Sequence, residues 1–423
     1  MPRRVTFSRN FTLSLSRTCR CYCKYCAFAT HRAHLYAPDE VEKMLDDAAR
    51  RGVKELLVLT GEQPEVHPEV AERLRSYGHE DFVSYVAWAC ERGLERGLLP
   101  HTNLGVLPAA DLARLREVTA SQGLMLESVV PDLVAHQGSP TKHPEVRLET
   151  IRAAGELRIP FTSGILVGIG EAPEDRIASL EALAEVQREY GHIQEVILQN
   201  FVPHPRYYGA EPAAIAERSQ VTGHRSQESL PLPPWASPIS LDDMRLLVRE
   251  AQRILPGVGI QIPPNLSDWW LPLIEEGATD LGGLSANGDH ISPEHPFPSV
   301  HRMRKELAPR GYALTERLCV YPQYMDPEWL EQGVLDVIKL KYWSFIPRRG
   351  SGRREERVIK TDLVPAAIEK GREGIALSPD ELTAMFAETR PEAIEEMREA
   401  ADELREELAG DLVTFVVNRN INV

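Results

Sequence analysis

Residues 161–202 read FTSGILVGIGEAPEDRIASLEALAEVQREYGHIQEVILQNFV. A β-rich run (161–169) ends among glycines, an amphipathic stretch (174–191) carries apolar residues at helical spacing, and a second apolar run (195–202) follows. Two strands joined through a helix run parallel, because a hairpin turn is too short for the crossover. The pattern continues on both sides. ELLVLT (55–60), LMLESVV (124–130) and VGIQIP (258–263) read as further strands, and PDEVEKMLDDAARRG (38–52) and SLDDMRLLVREAQRIL (240–255) as further helices. Strands apolar on both faces predict an α/β fold with a parallel sheet under helices, either barrel or doubly wound. A TIM-type (β/α) barrel, partial or complete, is favoured because the chemistry-bearing residues fall at strand C-terminal ends.

The 423 residues are 43% hydrophobic and 26% charged, enough to bury a large core. A formal net charge of −15 argues against nucleic acid, whose binding needs clustered Lys and Arg. No apolar run spans a bilayer and MPRRVTFSRN lacks a signal-peptide core, so the expectation is a cytoplasmic protein without a membrane partner. Of six cysteines, four crowd into SLSRTCRCYCKYCAFATHRAH (14–34): Cys19, Cys21, Cys23 and Cys26. In a reducing compartment such crowding reads as metal ligation or redox chemistry rather than a disulfide framework.

Cys19, Cys23 and Cys26 form C-x3-C-x2-C, with Tyr25 before the last cysteine. Three thiolates can hold three irons of a 4Fe-4S cluster and leave the fourth open, whereas a closed electron-transfer cluster takes four. The alternative is a structural zinc site completed by Cys21, His31 or His34. Cys21 itself is read as incidental to the cluster. Cys90 and Cys319 lie in apolar patterns and read as small buried hydrophobes.

The cysteine spacing resembles that of the radical S-adenosylmethionine superfamily. The resemblance implies a 4Fe-4S cluster on Cys19, Cys23 and Cys26 beside Tyr25, with S-adenosylmethionine on the open iron and a 5′-deoxyadenosyl radical as its product. LTGEQPE carries Thr60-Gly61-Glu62, similar to the superfamily's Gly-Gly-Glu motif for the cofactor ammonium, with Thr60 replacing the first glycine. GILVGIGE supplies Gly164, Leu166, Gly168 and Glu171, similar to the fifth-strand motif that packs the adenine. Glu127 in MLESVV is placed to reach the ribose or ammonium. The plainer readings are a turn, a strand ending in a glycine turn, and an ion-paired carboxylate.

VTFSRNFTLSLSRTCRCYCKYCAF, LLVLTGEQPE, SGILVGIGE, QNFVPHP and DLGGLSANGDHISPEHPFP (280–298) resemble the deazaflavin-forming first half of the FO synthase family, over about residues 5–345. The family resemblance implies a substrate, the tyrosine-derived 4-hydroxybenzyl adduct of 5-amino-6-(D-ribitylamino)uracil, from which hydrogen abstraction, cyclisation and ammonia loss give 7,8-didemethyl-8-hydroxy-5-deazariboflavin. It implies as partners a second synthase half, fused or separate, and a one-electron reductant such as ferredoxin or flavodoxin. Polar groups for that substrate are sought in Asp280, Asn287, Asp289 and His290 of the late loop, and in Gln199, Asn200 and His204 after the preceding strand. Rival readings are a related radical enzyme on another aromatic substrate and a non-catalytic iron-sulfur or zinc protein.

The domain reading is a barrel over 1–345, a linker over 346–374 containing the basic PRRGSGRREER (347–357), and a helical segment with a strand over 375–423. Residues 203–238, rich in Pro, His, Ser and Gln, read as a long loop. Ser378 caps a helix with Glu381 as its capping-box partner, and Ala393, Ile394, Met397, Ala401, Leu404 and Leu408 recur at helical spacing. Val413-Thr414-Phe415 and Asn418 repeat Val5-Thr6-Phe7 and Asn10, so the tail resembles the start of a second radical module.

Overall fold

A computed structural model describes residues 3–203, 232–290, 295–346, 363–388 and 390–410. The chain divides into two units, Met1–Pro347 and Arg348–Val423. In the first, eight strands run in sequence order: β1 (Arg3–Leu13), β2 (Glu55–Leu59), β3 (Leu99–Asn103), β4 (Ser121–Gly123), β5 (Phe161–Val167), β6 (Ile193–Asn200), β7 (Gly259–Gln261) and β8 (Asp280–Ser285). Every pairing is parallel, and β1 meets both β8 and β2, which closes the barrel.

Helices including Pro38–Arg50, Pro144–Glu156, Pro173–Tyr190 and Leu241–Ile254 connect the strands. Their apolar stripes pack on the outer strand faces; Leu180, Leu183, Met244, Leu247 and Ala251 join Ile165, Val167, Val196 and Leu198 in one core. β5 is buried along its whole length, as its apolar sequence requires. Alternation then sends Glu55, Leu57 and Leu59 of β2 and Glu195, Ile197 and Gln199 of β6 into the lumen.

A ninth strand, β9 (Tyr312–Arg317), pairs with the first half of β1, from Arg3 to Ser8, while β2 takes its second half, from Asn10 to Leu13. The chain leaving β9 crosses the N-terminal end of the barrel. There the Cys319 carbonyl accepts from Ser121 Oγ at 2.9 Å and Gln194 Nε2 at 2.8 Å, and Tyr321 N donates to Gln194 Oε1 at 2.9 Å.

Three readings of the sequence shift. The strand expected over 124–130 is Ser121–Gly123 instead, and beyond it Glu127 makes an isolated bridge to Ile165. DLGGLS, read as the start of a loop, is β8; its two glycines are accommodated because β1 pairs along it. Within the expected linker, Val364–Arg372 is a helix whose Val364, Ala367 and Ile368 make a small apolar face, packed with Ala384 and Ala400 of the second unit. Ser378 caps the helix Pro379–Ala387, with Glu381 as its partner. Residues 204–231, with His204, and the 411–423 repeat lie outside the described residues.

Candidate active site

The cysteine segment follows β1 directly and is held by its own Ser and Thr residues. Ser16 Oγ donates to the His34 carbonyl at 2.5 Å and Thr18 Oγ1 to the Arg32 carbonyl at 2.7 Å, while Thr30 N donates to the Arg17 carbonyl at 2.8 Å. Lys24 N reaches the Ala135 carbonyl at 2.9 Å and Tyr22 N reaches Ser139 Oγ at 2.8 Å, which ties the segment to residues 133–142 across the barrel mouth. Cys19, Cys23 and Cys26 all line one cavity of about 430 Å³ that continues down the barrel lumen.

The sulfurs sit among donors. Cys21 N and Glu62 N point at Cys19 Sγ at 3.4 and 3.3 Å, Ala29 N at Cys26 Sγ at 3.4 Å, and Ser139 Oγ lies 3.4 Å from Cys23 Sγ. Hydrogen bonds to sulfur tune iron-sulfur clusters, and three such thiols at a cavity mouth fit a cluster with one open iron. The neighbouring Cys21 thiol and burial push Cys23 well up, and burial pushes Cys26 up; a cationic metal bound at such thiols favours their deprotonated form. Cys21 also faces the cavity, with its sulfur 3.0 Å from Thr141 Oγ1. Among the described residues no three His, Cys, Asp or Glu side chains converge on a single-ion site. The histidines considered for zinc are engaged: His31 Nδ1 lies 3.1 Å from the Cys19 carbonyl and its ring stacks on Tyr22, and His34 Nδ1 accepts from Arg17 N at 3.1 Å.

Thr60, Gly61 and Glu62 stand at the C-terminal end of β2 and line the cavity. Gly61 is required by contact, because a Cβ there would overlap the Thr18 carbonyl that leads into the first cysteine. Glu62 accepts from Arg20 Nε at 2.8 Å and Val106 N at 3.1 Å; burial works against its charge, but Thr141, Arg20 and the Val106 amide hold it below the ordinary range. Glu127 is buried with φ +68°, a left-handed conformation rare outside glycine. It accepts from Lys142 Nζ at 2.6 Å and Tyr25 OH at 3.1 Å. Burial opposes its ionisation too, and Lys142 and Arg147 outweigh it.

Of the fifth-strand motif Leu166 lines the cavity, while Gly164, Gly168 and Glu171 do not. Gly164 pairs with Ile197 inside the sheet. Glu171 folds back on its own turn, accepting from Gly168 N at 2.7 Å, Ile169 N at 2.8 Å and Arg176 Nε at 2.8 Å, so it shapes the loop after β5.

The late-loop residues separate. Asp289 lines the cavity, as do Gln199 and Asn200, and Asn265 Nδ2 donates to Asp289 Oδ2 at 2.7 Å. Asn287 instead clasps β1, accepting from Thr12 N and donating to the Thr12 carbonyl, both at 2.9 Å. His290 lies behind it, 3.0 Å from Ser14 Oγ and 3.1 Å from Asn287 Nδ2, with burial lowering its pKa. Neither faces the cavity. Asp280 is not in the loop at all: it opens β8, fully buried, and takes Arg317 Nε at 2.6 Å and Nη2 at 2.9 Å.

Cavity-lining residues that sequence reading passed over are Arg147 and Lys142 near the mouth and Asn10, Glu55, Glu195 and Arg317 deep inside. Their only sequence signal is a polar residue inside or beside an otherwise apolar strand, as Glu55 in ELLVLT.

A radical SAM superfamily model matches residues 13–183. The chain is 42% identical over 339 residues to the 7,8-didemethyl-8-hydroxy-5-deazariboflavin synthase of Archaeoglobus fulgidus, covering 79% of this chain and 96% of that one. The enzyme of that name from Methanosphaerula palustris is also 42% identical, over 79% and 95% of the two chains. Among solved structures, the FeFe-hydrogenase maturase HydG from Carboxydothermus hydrogenoformans is similar in fold, with a TM-score of 0.55, 16% identity, and 96% of this chain and 79% of that one covered. Methylornithine synthase (PylB) matches with a TM-score of 0.50 at 17% identity, over 74% and 84%.

Proposed function

This chain belongs to the radical SAM superfamily and, within it, to the 7,8-didemethyl-8-hydroxy-5-deazariboflavin synthases, and from that membership we propose that its barrel cyclises the 4-hydroxybenzyl adduct of ribitylaminouracil. It is a radical SAM enzyme of deazaflavin biosynthesis. The proposed cyclisation, with release of ammonia, follows from the family; that the barrel holds radical generator and substrate together is supported above all by one arrangement. The three thiols of Cys19, Cys23 and Cys26 open onto the same lumen as the polar groups of the barrel interior.

Cys19, Cys23 and Cys26 would hold a 4Fe-4S cluster, and Tyr25, Thr60, Gly61, Glu62 and Glu127 would surround S-adenosylmethionine. Together, when bound, these groups supply a 5′-deoxyadenosyl radical. The protein's own part is to orient and to shield. Glu62 is an ionised carboxylate where an ammonium would bind, and charge-assisted bonds there are strong and directional. Gln199, Asn200 and Asp289 offer polar contacts to a substrate in the lumen. Leu57, Leu59 and Ile197 keep the walls between them dry. A second synthase half that supplies the adduct, a ferredoxin- or flavodoxin-type reductant and a cytoplasmic setting complete the proposal. No helix among the described residues is long and apolar enough to cross a membrane.

The test is anaerobic. Protein reconstituted with iron and sulfide is given reductant, S-adenosylmethionine, tyrosine and 5-amino-6-(D-ribitylamino)uracil, with and without a partner half. Deazaflavin formed only with the partner supports the reading. 5′-Deoxyadenosine without deazaflavin, partner present, moves the enzyme to another substrate.

A further inference from the structure

The deep end of the lumen contains two kinds of polar group. One kind satisfies itself. Arg317 bridges Asp280 and Glu195, reaching Glu195 Oε1 from Nη2 at 2.7 Å; the Tyr321 hydroxyl donates to the same oxygen at 3.2 Å, and the Gln261 amide, once turned so that its nitrogen faces Glu195, donates to both Glu195 oxygens at 3.1 Å. The other kind does so only in part, with Ser8 and the Asn10 amide beside the Glu55 carboxyl and one oxygen of each residue left over. Asn10 Oδ1 and Glu55 Oε2 are buried, belong to residues that line the cavity, and accept no hydrogen bond. Buried polar atoms are almost always paired, so an orphan acceptor on a cavity wall marks a place where a ligand completes the bond.

The two residues are Cα partners across β1 and β2, which sets their side chains next to each other on one patch of wall. The patch is shaped for them: a Cβ on Gly283 of the neighbouring strand would overlap the Asn10 amide nitrogen. Ser8, His101 and Arg317 line the lumen as well. Above them Leu57, Leu59, Met125, Leu166 and Ile197 form an apolar belt, and above that come the cysteines. A ligand matching this profile has hydrogen-bond donors at its inner end and a flat apolar portion in the middle.

We propose that Asn10 and Glu55 form the subsite for the polyhydroxylated side chain of the substrate, taking hydroxyl donors at the inner end of the lumen while the aromatic portion crosses the leucine belt. The inference rests on the reading of this chain as the cyclising enzyme. It assigns substrate specificity to two residues that stand at the far end of the lumen from the cysteine loop.

Binding by the reconstituted enzyme is compared for the 4-hydroxybenzyl adduct of 5-amino-6-(D-ribitylamino)uracil and for its analogue with methyl in place of ribityl. The parent should prefer the ribityl compound at least about tenfold, because a site built to bond hydroxyls rejects a ligand that leaves its acceptors unpaired. Asn10→Leu and Glu55→Leu should bring the ratio close to one with circular dichroism unchanged, and Glu55→Gln, which keeps an acceptor oxygen, should preserve the preference. A preference that survives both leucine variants overturns the subsite. So does a parent without preference, a comparison that needs no variant to fold. Turnover of the hydroxybenzyl adduct by the same preparation separates the two levels. Deazaflavin formed without ribityl preference overturns this inference alone, whereas no deazaflavin and no binding of either adduct overturns the underlying reading with it.

Discussion

Replacing Arg317 by Met would strip the counter-charge from the most buried carboxylates of the barrel. Arg317 makes a two-point contact with Asp280 at 2.6 and 2.9 Å and a third with Glu195, and the side chains are 8%, 0% and 4% exposed, so water cannot substitute for the guanidinium. Breaking a buried pair by removing one partner costs about 3–5 kcal/mol. With an unfolding entropy of roughly 2.1 cal/mol/K per residue over Met1–Pro347, about 4 kcal/mol lowers Tm by about 6 °C. The pH dependence identifies the cause. In the parent, burial opposes the charge of Asp280, but Arg317 wins and holds its pKa below the ordinary value. A depressed carboxylate stabilises above its unfolded pKa, and that stability disappears as pH falls through the folded pKa. Without Arg317 burial is opposed only by the hydrogen bonds from Thr6 and Glu195, so the carboxyl titrates higher than in the parent and the variant loses stability as pH rises. The gap in Tm should therefore be widest near about pH 7 and close toward about pH 4, and adding Asp280→Asn should recover part of it. Calorimetry of the cluster-free proteins across that range is the assay. A gap under about 1 °C at neutral pH, or one equally large in acid, would refute the reasoning.

Three further outcomes are expected. Cys21→Ala should retain full iron and sulfide content and most deazaflavin formation, as the proposed ligand set of Cys19, Cys23 and Cys26 requires; loss of cluster would make Cys21 a ligand. Gly61→Ala should cost about 1–3 kcal/mol by forcing its methyl into the Thr18 carbonyl, and should lower iron per chain; normal melting and iron content would count against the close contact. Glu62→Gln should weaken S-adenosylmethionine binding by about ten- to a hundredfold, the loss of a charge-assisted bond, while leaving cluster absorbance intact; unchanged affinity in equilibrium dialysis would remove Glu62 from the cofactor site.

The parts of this molecule legible in the sequence are those whose signal is local. The cysteine spacing, the Thr60-Gly61-Glu62 turn and the βαβ unit around residues 161–202 each lie within one short stretch, and the structure puts the first two on one cavity. LPHTN and DLGGLS escaped notice as strands because Pro and Gly are poor strand formers; they are β3 and β8 because neighbouring strands pair with them on both sides. Asp280 was misplaced for the same reason, as the first residue of an unrecognised strand. The deep polar groups are a different matter. Arg317 meets Glu195 and Asp280, 122 and 37 positions away, only once the barrel closes, and no window of sequence contains that meeting.

The segment after β9 has a consequence for traffic. Because the turn at Cys319 lies across the N-terminal end, the described residues give the lumen a floor there, opposite the rim where the cysteine loop sits. A vessel with a floor works as a stack: what rests deepest goes in first and comes out last. On the proposed function, substrate would then be aboard before S-adenosylmethionine, and ordered binding, substrate first, would be the outcome expected in equilibrium binding of each ligand with and without the other.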